Sequence, residues 1–292
     1  TRPSDSANPA QDALLGRQDA RELARTIPGP RWVEHADAEH AVHWEQPDRL
    51  AAGAVPGGPP PGRVGRATTT TVGAGETIVP MVVPLAVGDW RAGARIEARA
   101  FRQEPPFAQL FPDERTRERV LLAWFGLGLR GGLLAGHLVE TTATRDALAM
   151  WSPPGLRDSP GRMLLIAPRV LPQVGALLRS ATQADRRRAL AWASRIEQRH
   201  HELLPEPHWA LDVLAVDPDR QRLGLGAVLA VHGLGRADRA ATPTYVETNT
   251  ERNVAFYRKL GFEVIEHAPE DYPPAAIPTW RMVRPPRPVG AR

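Results

Sequence analysis

Cysteine is absent from the 292-residue chain. Its absence removes disulfides, thiolate metal sites and cysteine nucleophiles together. It fits a reducing compartment, and a cytoplasmic location is the expectation. Lysine is nearly absent as well. Lys259 is the only one, and arginine supplies the rest of the 37 basic residues. Acidic residues number 33, so the formal net charge is only +4. The single basic run, Arg186-Arg187-Arg188, reads as a solvated helix face. A nucleic-acid surface needs clustered basic residues, so no nucleic-acid partner is expected. No stretch reaches the roughly 18 uninterrupted apolar residues of a membrane span, and no membrane partner is expected. The first 30 residues lack a basic start followed by an apolar run, so no secretory leader is expected.

Proline and glycine are abundant, at 30 and 25 residues. Pro56-Gly57-Gly58-Pro59-Pro60-Pro61-Gly62 cannot continue a helix or a central strand. Thr68 to Thr71 is of low complexity, and Arg31 to Leu50 is polar with few core formers. A thin apolar stripe of Leu14, Leu15, Leu23 and Ala24 predicts at most a short helix over Ala10–Arg25. Residues 1–76 are therefore expected to be a disordered extension. The first methionine is Met81, which agrees with a working domain over 77–286, followed by a short tail at 287–292. Clustered His35, Asp37, Glu39, His40 and His43 lie in the extension, with no apolar frame to hold a metal site. No metal is expected.

From Thr77 the pattern predicts an edge strand over Ile78–Val87, weakened by Pro80 and Pro84. Asp89 is a candidate cap for a helix to Phe101, and Asp113 for one that Gly131-Gly132 ends. A hairpin over His137–Thr142 and Ala147–Trp151 follows, then helices near Met163–Leu178 and Gln183–Leu203. The last third reads strand His208–Val216, helix Leu225–Arg239, strand Tyr245–Thr248, helix Glu251–Leu260, strand Phe262–Glu266 and strand Thr279–Val283. Strands alternating with helices indicate an α/β fold.

Two segments carry chemistry. The first is Gln221-Arg222-Leu223-Gly224-Leu225-Gly226-Ala227, just after a strand and opening a helix. First-turn amides of a helix have no internal partner and sit at the positive end of its dipole, so an anion such as pyrophosphate belongs there. The dinucleotide fingerprint is not met, because the third glycine is missing. A phosphate loop ending in Lys-Ser/Thr and a serine nucleophile elbow are also missing. The second segment is Asn253-Val254-Ala255-Phe256-Tyr257-Arg258-Lys259-Leu260-Gly261-Phe262.

Together, in this order, the two segments resemble the GCN5-related N-acetyltransferase (GNAT) superfamily, in its bacterial, actinobacterial-like members. Gln221 to Gly226 is similar to that family's Q/R-x-x-G-x-G/A loop, Leu214-Ala215-Val216 to the strand before it, and Asn253 to Phe262 to its Asn-x-x-x-x-Tyr-x-x-x-Gly-Phe segment. The resemblance covers 77–286 and not 1–76. It implies a mixed, mostly antiparallel central sheet that splays between the fourth and fifth strands and is flanked by helices.

It also implies acetyl-coenzyme A as cosubstrate. Backbone groups of Leu214, Ala215 and Val216 would pair with the pantetheine arm. Amides of Gln221, Arg222, Leu223, Gly224, Leu225, Gly226 and Ala227 would hold the pyrophosphate, with Asn253 assisting. Tyr257 would protonate the departing thiolate, which is general-acid catalysis. The implied reaction is direct attack by a primary amine in a ternary complex. Small-molecule acceptors are expected ahead of proteins, in a monomer or homodimer. The alternative is a non-catalytic acyl-coenzyme A-binding or sensing module. Candidate bases for the amine are Asp212, Glu247 and His208, and the family often uses a water chain instead. An acceptor pocket is expected from 95–155 and 267–280, with Trp124, Trp151, Tyr272 and Trp280 as candidate lining and at least two of them in the core.

Overall fold

A computed structural model describes residues 80–156, 160–204, 207–270 and 277–288. The expected extension over 1–76, the residues Ile78 and Val79, and Tyr272 lie outside the described residues. The main body comprises Val82–Gln221 and Leu225–Arg292. In chain order it contains β1 (Val82–Pro84), α1 (Trp90–Phe101), α2 (Pro105–Leu110), α3 (Glu114–Ala135), β2 (Leu138–Thr142), β3 (Ala147–Ser152), α4 (Pro160–Ser180) and α5 (Gln183–Leu203). There follow β4 (Trp209–Val216), α6 (Leu225–Arg239), β5 (Thr244–Thr248), α7 (Glu251–Lys259), β6 (Glu263–Glu270) and β7 (Ile277–Arg284).

The seven strands form one sheet in the order β1-β2-β3-β4-β5-β7-β6. Every neighbouring pair is antiparallel except β4 and β5. That parallel pairing is short: Trp209, Ala210 and Leu211 face Thr244, Tyr245 and Val246. β4 then runs on to Val216 against β3 alone. The sheet therefore opens between its fourth and fifth strands, as expected. On its other edge β4 carries a bulge. Met150 faces Val213 and Trp151 faces Leu211, so Asp212 is the extra residue. A bulge re-aims a side chain, and this one re-aims a carboxylate at the mouth of the opening.

Helix ends follow local chemistry. Asp113 accepts from Arg115 N at 3.1 Å and starts α3. Thr182 and Asp185 form a reciprocal capping box on α5. Thr250 accepts from Asn253 N at 3.3 Å and starts α7. Asp89 departs from expectation. It occupies the position before α1 without bonding its amides, and its carboxylate binds Arg145 Nη2 at 2.8 Å instead. Gly131-Gly132 does not end α3, which continues to Ala135 and closes at Gly136 with φ of 102°. The reason is packing: Gly126 seats the Trp90 ring and Gly132 seats Met150, so these glycines serve close approach within the helix. Pro168 and Pro172 likewise lie within the longer α4.

One apolar cluster joins α1, α2 and α3 to β2 and β3, through Ile96, Phe107, Leu110, Leu121, Phe125, Leu129 and Leu148. On the sheet, α6 packs against β3, with Gly233 over Trp151. A buried polar network pins α6 at its middle. Glu140 on β2 lies 3.0 Å from His232 Nδ1 and bonds Arg236. Burial lowers the Arg236 pKa to about 10.

Candidate active site

A cleft of about 500 Å³ lies where β4 parts from β5. β4 supplies Ala210 to Leu214, β5 supplies Tyr245, Glu247 and Thr248, and α7 supplies Asn253 and Tyr257. The remaining wall is apolar and comes from α1, α3 and α5, with Phe101, Trp124, Phe125, Leu129 and Trp192 among its residues. From Asp212 onward, β4 forms no ladder with β5. Backbone amides and carbonyls that lack a strand partner require one from solvent or ligand. An extended chain of amides, laid along this edge, would pair as an added strand does.

Tyr257 faces the cleft from α7 and is 7% exposed. Its ring packs edge-on against Phe256 and Phe262, with centroids 5.1 and 5.6 Å away. Among the described residues its hydroxyl has no hydrogen-bond partner. Burial pushes its pKa above the ordinary phenol value, so the hydroxyl remains a proton donor.

Asp212 is held from two sides. Ser152 Oγ donates to its Oδ2 at 2.5 Å, and His137 Nδ1 lies 3.2 Å from the same oxygen. Glu247 sits in a different setting. Its Oε1 accepts from the Tyr245 hydroxyl and lies 3.4 Å from Nε of the fully buried Arg281. Burial and the neighbouring Glu247 carboxylate push the Tyr245 hydroxyl pKa up. His208, the third candidate base, is set back from the lining. Its Nε2 lies 2.6 Å from His200 Nε2, and His200 is the one that reaches the cleft, stacked at 3.9 Å on Tyr245.

The loop into α6 holds left-handed backbone at two positions. Arg222 has φ of 65° and Gly224 φ of 79°. A left-handed arginine is costly, and such strain gathers at functional loops. A Cβ on Gly226 would lie 3.4 Å from Val216, so the helix start lies close against β4. Asp217 opens the turn by accepting from Asp219 N at 3.0 Å, and Arg99 on α1 braces both carboxylates at 3.0 and 2.8 Å. Gln221 Nε2 reaches back to Val216 O at 3.4 Å.

Of the residues singled out in the sequence, the cleft brings together Asp212, Leu214, Glu247, Asn253 and Tyr257. Ala215, Val216 and the loop residues Gln221, Arg222, Leu223, Gly224, Leu225, Gly226 and Ala227 are outside its lining. Ala215, Leu225 and Ala227 are buried, whereas Leu223 is exposed. Trp124 lines the cleft as expected. Trp151 is fully buried in the core, and Trp280 stacks on His267 at 4.2 Å, so neither lines it. Glu97, Phe101 and Phe107 fall within the expected span 95–155 without being singled out there, and Trp192 lies outside it. For Glu97 the signal was present: it lies on the stripe Trp90, Gly93, Ala94, Glu97, Phe101, where spacing of three and four residues marks the inward face. Among the described residues no group of three or more His, Cys, Asp or Glu could hold a metal. No described helix is long and apolar enough to cross a membrane.

Comparison with known proteins bears on the same region. Residues 178–262 match the profile of the acetyltransferase (GNAT) family. A stretch of 54 residues is 41% identical to the peptidyl-lysine N-acetyltransferase YjaB of Escherichia coli (strain K12), over 18% of this chain. The match spans 35% of the length of that curated relative. Among solved structures, the histone acetyltransferase HPA2 and related acetyltransferase from Corynebacterium glutamicum superposes with a TM-score of 0.51 at 22% identity, over 72% of this chain and 98% of that one. The ribosomal-protein-S18-alanine N-acetyltransferase from Escherichia coli gives 0.39 at 17% identity, over 73% and 98%. Residues 178–262 thus form a segment similar to the acetyltransferase (GNAT) family, with both motifs in order beside the opened sheet.

Proposed function

We propose that the protein is an acetyl-coenzyme A-dependent N-acetyltransferase acting on a primary amine, with its catalytic domain over 77–286. The observation that carries this reading is the unpaired β4 edge beside a cleft into which Tyr257 and Asp212 both open. Acetyl-coenzyme A supplies the acyl group as a thioester. The β4 edge at Leu214, Ala215 and Val216 binds its pantetheine arm. The loop amides of Gln221–Ala227 take the pyrophosphate, and Asn253 helps to orient the arm.

Tyr257 donates its hydroxyl proton to the leaving sulfur, and the high pKa imposed by burial keeps that proton in place until it is needed. Asp212 takes the proton from the attacking amine. The Ser152 hydroxyl and the His137 imidazole orient Asp212. Glu247 accepts from the Tyr245 hydroxyl and faces Arg281, so it positions Tyr245 and the cleft floor.

The test is transfer to a panel of amines by the full chain, followed as free thiol and as acetylated product by mass. Direct attack in a ternary complex predicts intersecting initial-rate lines, whereas a covalent acetyl-enzyme predicts parallel ones. Tight acetyl-coenzyme A binding without turnover on any amine would favour a sensing module instead.

A further inference from the structure

The cleft is charged one way. Glu97, Glu104, Glu197, Asp212 and Glu247 line it, with no lysine or arginine among the lining residues. The chain as a whole has an excess of basic residues, so this acidic lining is a local feature. Four of these carboxylates have partners. Glu104 is 3.8 Å from Arg252 and Glu197 is 3.2 Å from His201, while Asp212 and Glu247 are held as described above.

Glu97 is different. It is 1% exposed, and its Oε1 has no hydrogen-bond partner. The cleft wall it belongs to also contains Phe101, Phe107, Trp124, Phe125 and Met150. Burial alone pushes its pKa well above the usual carboxylate range. Leaving a buried carboxyl unpaired is unfavourable, and Leu or Met would fill the same volume without that cost. A carboxyl facing a ligand cleft under those terms is explained by a partner that arrives with the ligand.

We propose that Glu97 binds a second positive charge on the acceptor, so that the preferred substrate is an amine with an apolar body and a further ammonium or guanidinium group. This rests on the acetyltransferase reading above. The nitrogen that attacks must be neutral, so it cannot be the group that ion-pairs stably with a carboxylate. The second nitrogen stays protonated, and its charge restores the ionised form of Glu97 in a water-poor site. The aromatic faces of Phe101, Phe107, Trp124 and Phe125 suit both the apolar body and the cation. Position agrees: Glu97 comes from α1, which packs on β3 and β4, whereas Tyr257 comes from α7, after β5. One end of a long acceptor can meet each.

The experiment compares 1,5-diaminopentane, 5-amino-1-pentanol and 1-aminopentane as acceptors for the full chain and for Glu97→Gln. Acetyl-coenzyme A binding is measured separately by calorimetry. The native protein should favour the diamine over the amino alcohol by about tenfold or more in kcat/KM, the scale of one charge-assisted contact. Glu97→Gln, nearly isosteric, should bring that ratio to within about twofold through a raised KM for the diamine, while acetyl-coenzyme A affinity stays the same. Glu97→Asp should retain part of the preference. A ratio unchanged in Glu97→Gln, or a native preference for the neutral chain end, overturns the proposal. The native comparison decides even where the variant does not fold. Failure of the native protein to bind acetyl-coenzyme A overturns the acetyltransferase reading itself, a separate result from binding and transfer without charge preference.

Discussion

Ser152 Oγ donates to Asp212 Oδ2 at 2.5 Å, across the β3–β4 ladder and at the bulge that makes Asp212 the extra residue of its strand. The hydroxyl is buried and the carboxylate opens on the cleft, so Ser152 fixes the direction in which Asp212 presents its charge. Asp212→Asn keeps the shape and loses the base. It is expected to lower kcat by about 10²-fold, the usual worth of a positioned base. Ser152→Ala leaves the carboxylate less well aimed, and is expected to lower kcat by about three- to tenfold. Steady-state rates with a saturating amine check both. Equal rates for Asp212→Asn and the native protein would return the proton to a water chain.

Tyr257→Phe removes one oxygen from a packed ring and should leave folding intact. The expected loss is about 10²-fold in kcat, with little change in KM for acetyl-coenzyme A. The pH profile adds a second check. Burial favours the neutral phenol, so the acid form persists above the ordinary tyrosine pKa of about 10. Any fall in native kcat below about pH 10 must therefore come from another group, and Tyr257→Phe should show the same limb at a lower plateau. A limb that vanishes in Tyr257→Phe would place the titration on Tyr257 and contradict its burial.

The parts legible in the sequence were those specified within a few residues. Helix α6 runs over Leu225–Arg239 as its pattern predicts, and Thr250 and Gly261 bracket α7 where capping chemistry places them. Tyr257 and Asn253 reach the cleft because a local motif sets their helix phase. What stayed hidden depends on contacts far apart in the chain. Gly131-Gly132 reads as a helix end, yet α3 passes through it to Gly136. Glu97 lies on the inward stripe of α1, but its place in the cleft is set only when α1 packs on α3 and β4. Asp212 is a candidate base from the sequence, but the bulge opposite Met150 and Trp151 that makes it the extra residue of β4 is not legible there.

Glu97 also carries a stability signature in the absence of any acceptor. Below its ordinary pKa of about 4.3 the side chain is protonated in folded and unfolded chains alike. As the pH rises, the unfolded chain releases its proton while the fold holds it, because burial raises the folded pKa. Stability attributable to Glu97 is thus full below the unfolded pKa and is lost as pH rises toward the folded one. Glu104, Glu197, Asp212 and Glu247 line the same cleft, but burial alone raises the Glu97 pKa. Glu97→Gln cannot ionise. Its Tm should match the native value near about pH 4.5 and exceed it at about pH 8, by roughly 2–4 °C for each kcal/mol relieved. A Tm gap that is the same at both values would mean that Glu97 does not carry the raised pKa.

The seat of α6 on the sheet gives the most direct check of the packing. A Cβ at Gly233 would lie 2.1 Å from Cε2 and Cζ2 of Trp151. Trp151 is fully buried, so its ring has no room to yield. In an unhindered helix, glycine to alanine is stabilising by roughly 0.5–1 kcal/mol. Here overpacking, at about 1–3 kcal/mol or more, reverses the sign. Gly233→Ala should therefore lower Tm, while Gly131→Ala, where an added Cβ meets nothing within 4 Å, should raise it slightly. The displaced helix begins directly after the loop proposed for the pyrophosphate, so Gly233→Ala should also weaken acetyl-coenzyme A binding several-fold, and Gly131→Ala should not. Thermal melts with and without acetyl-coenzyme A measure both effects. Equal Tm changes for the two variants would show that α6 does not approach β3 this closely.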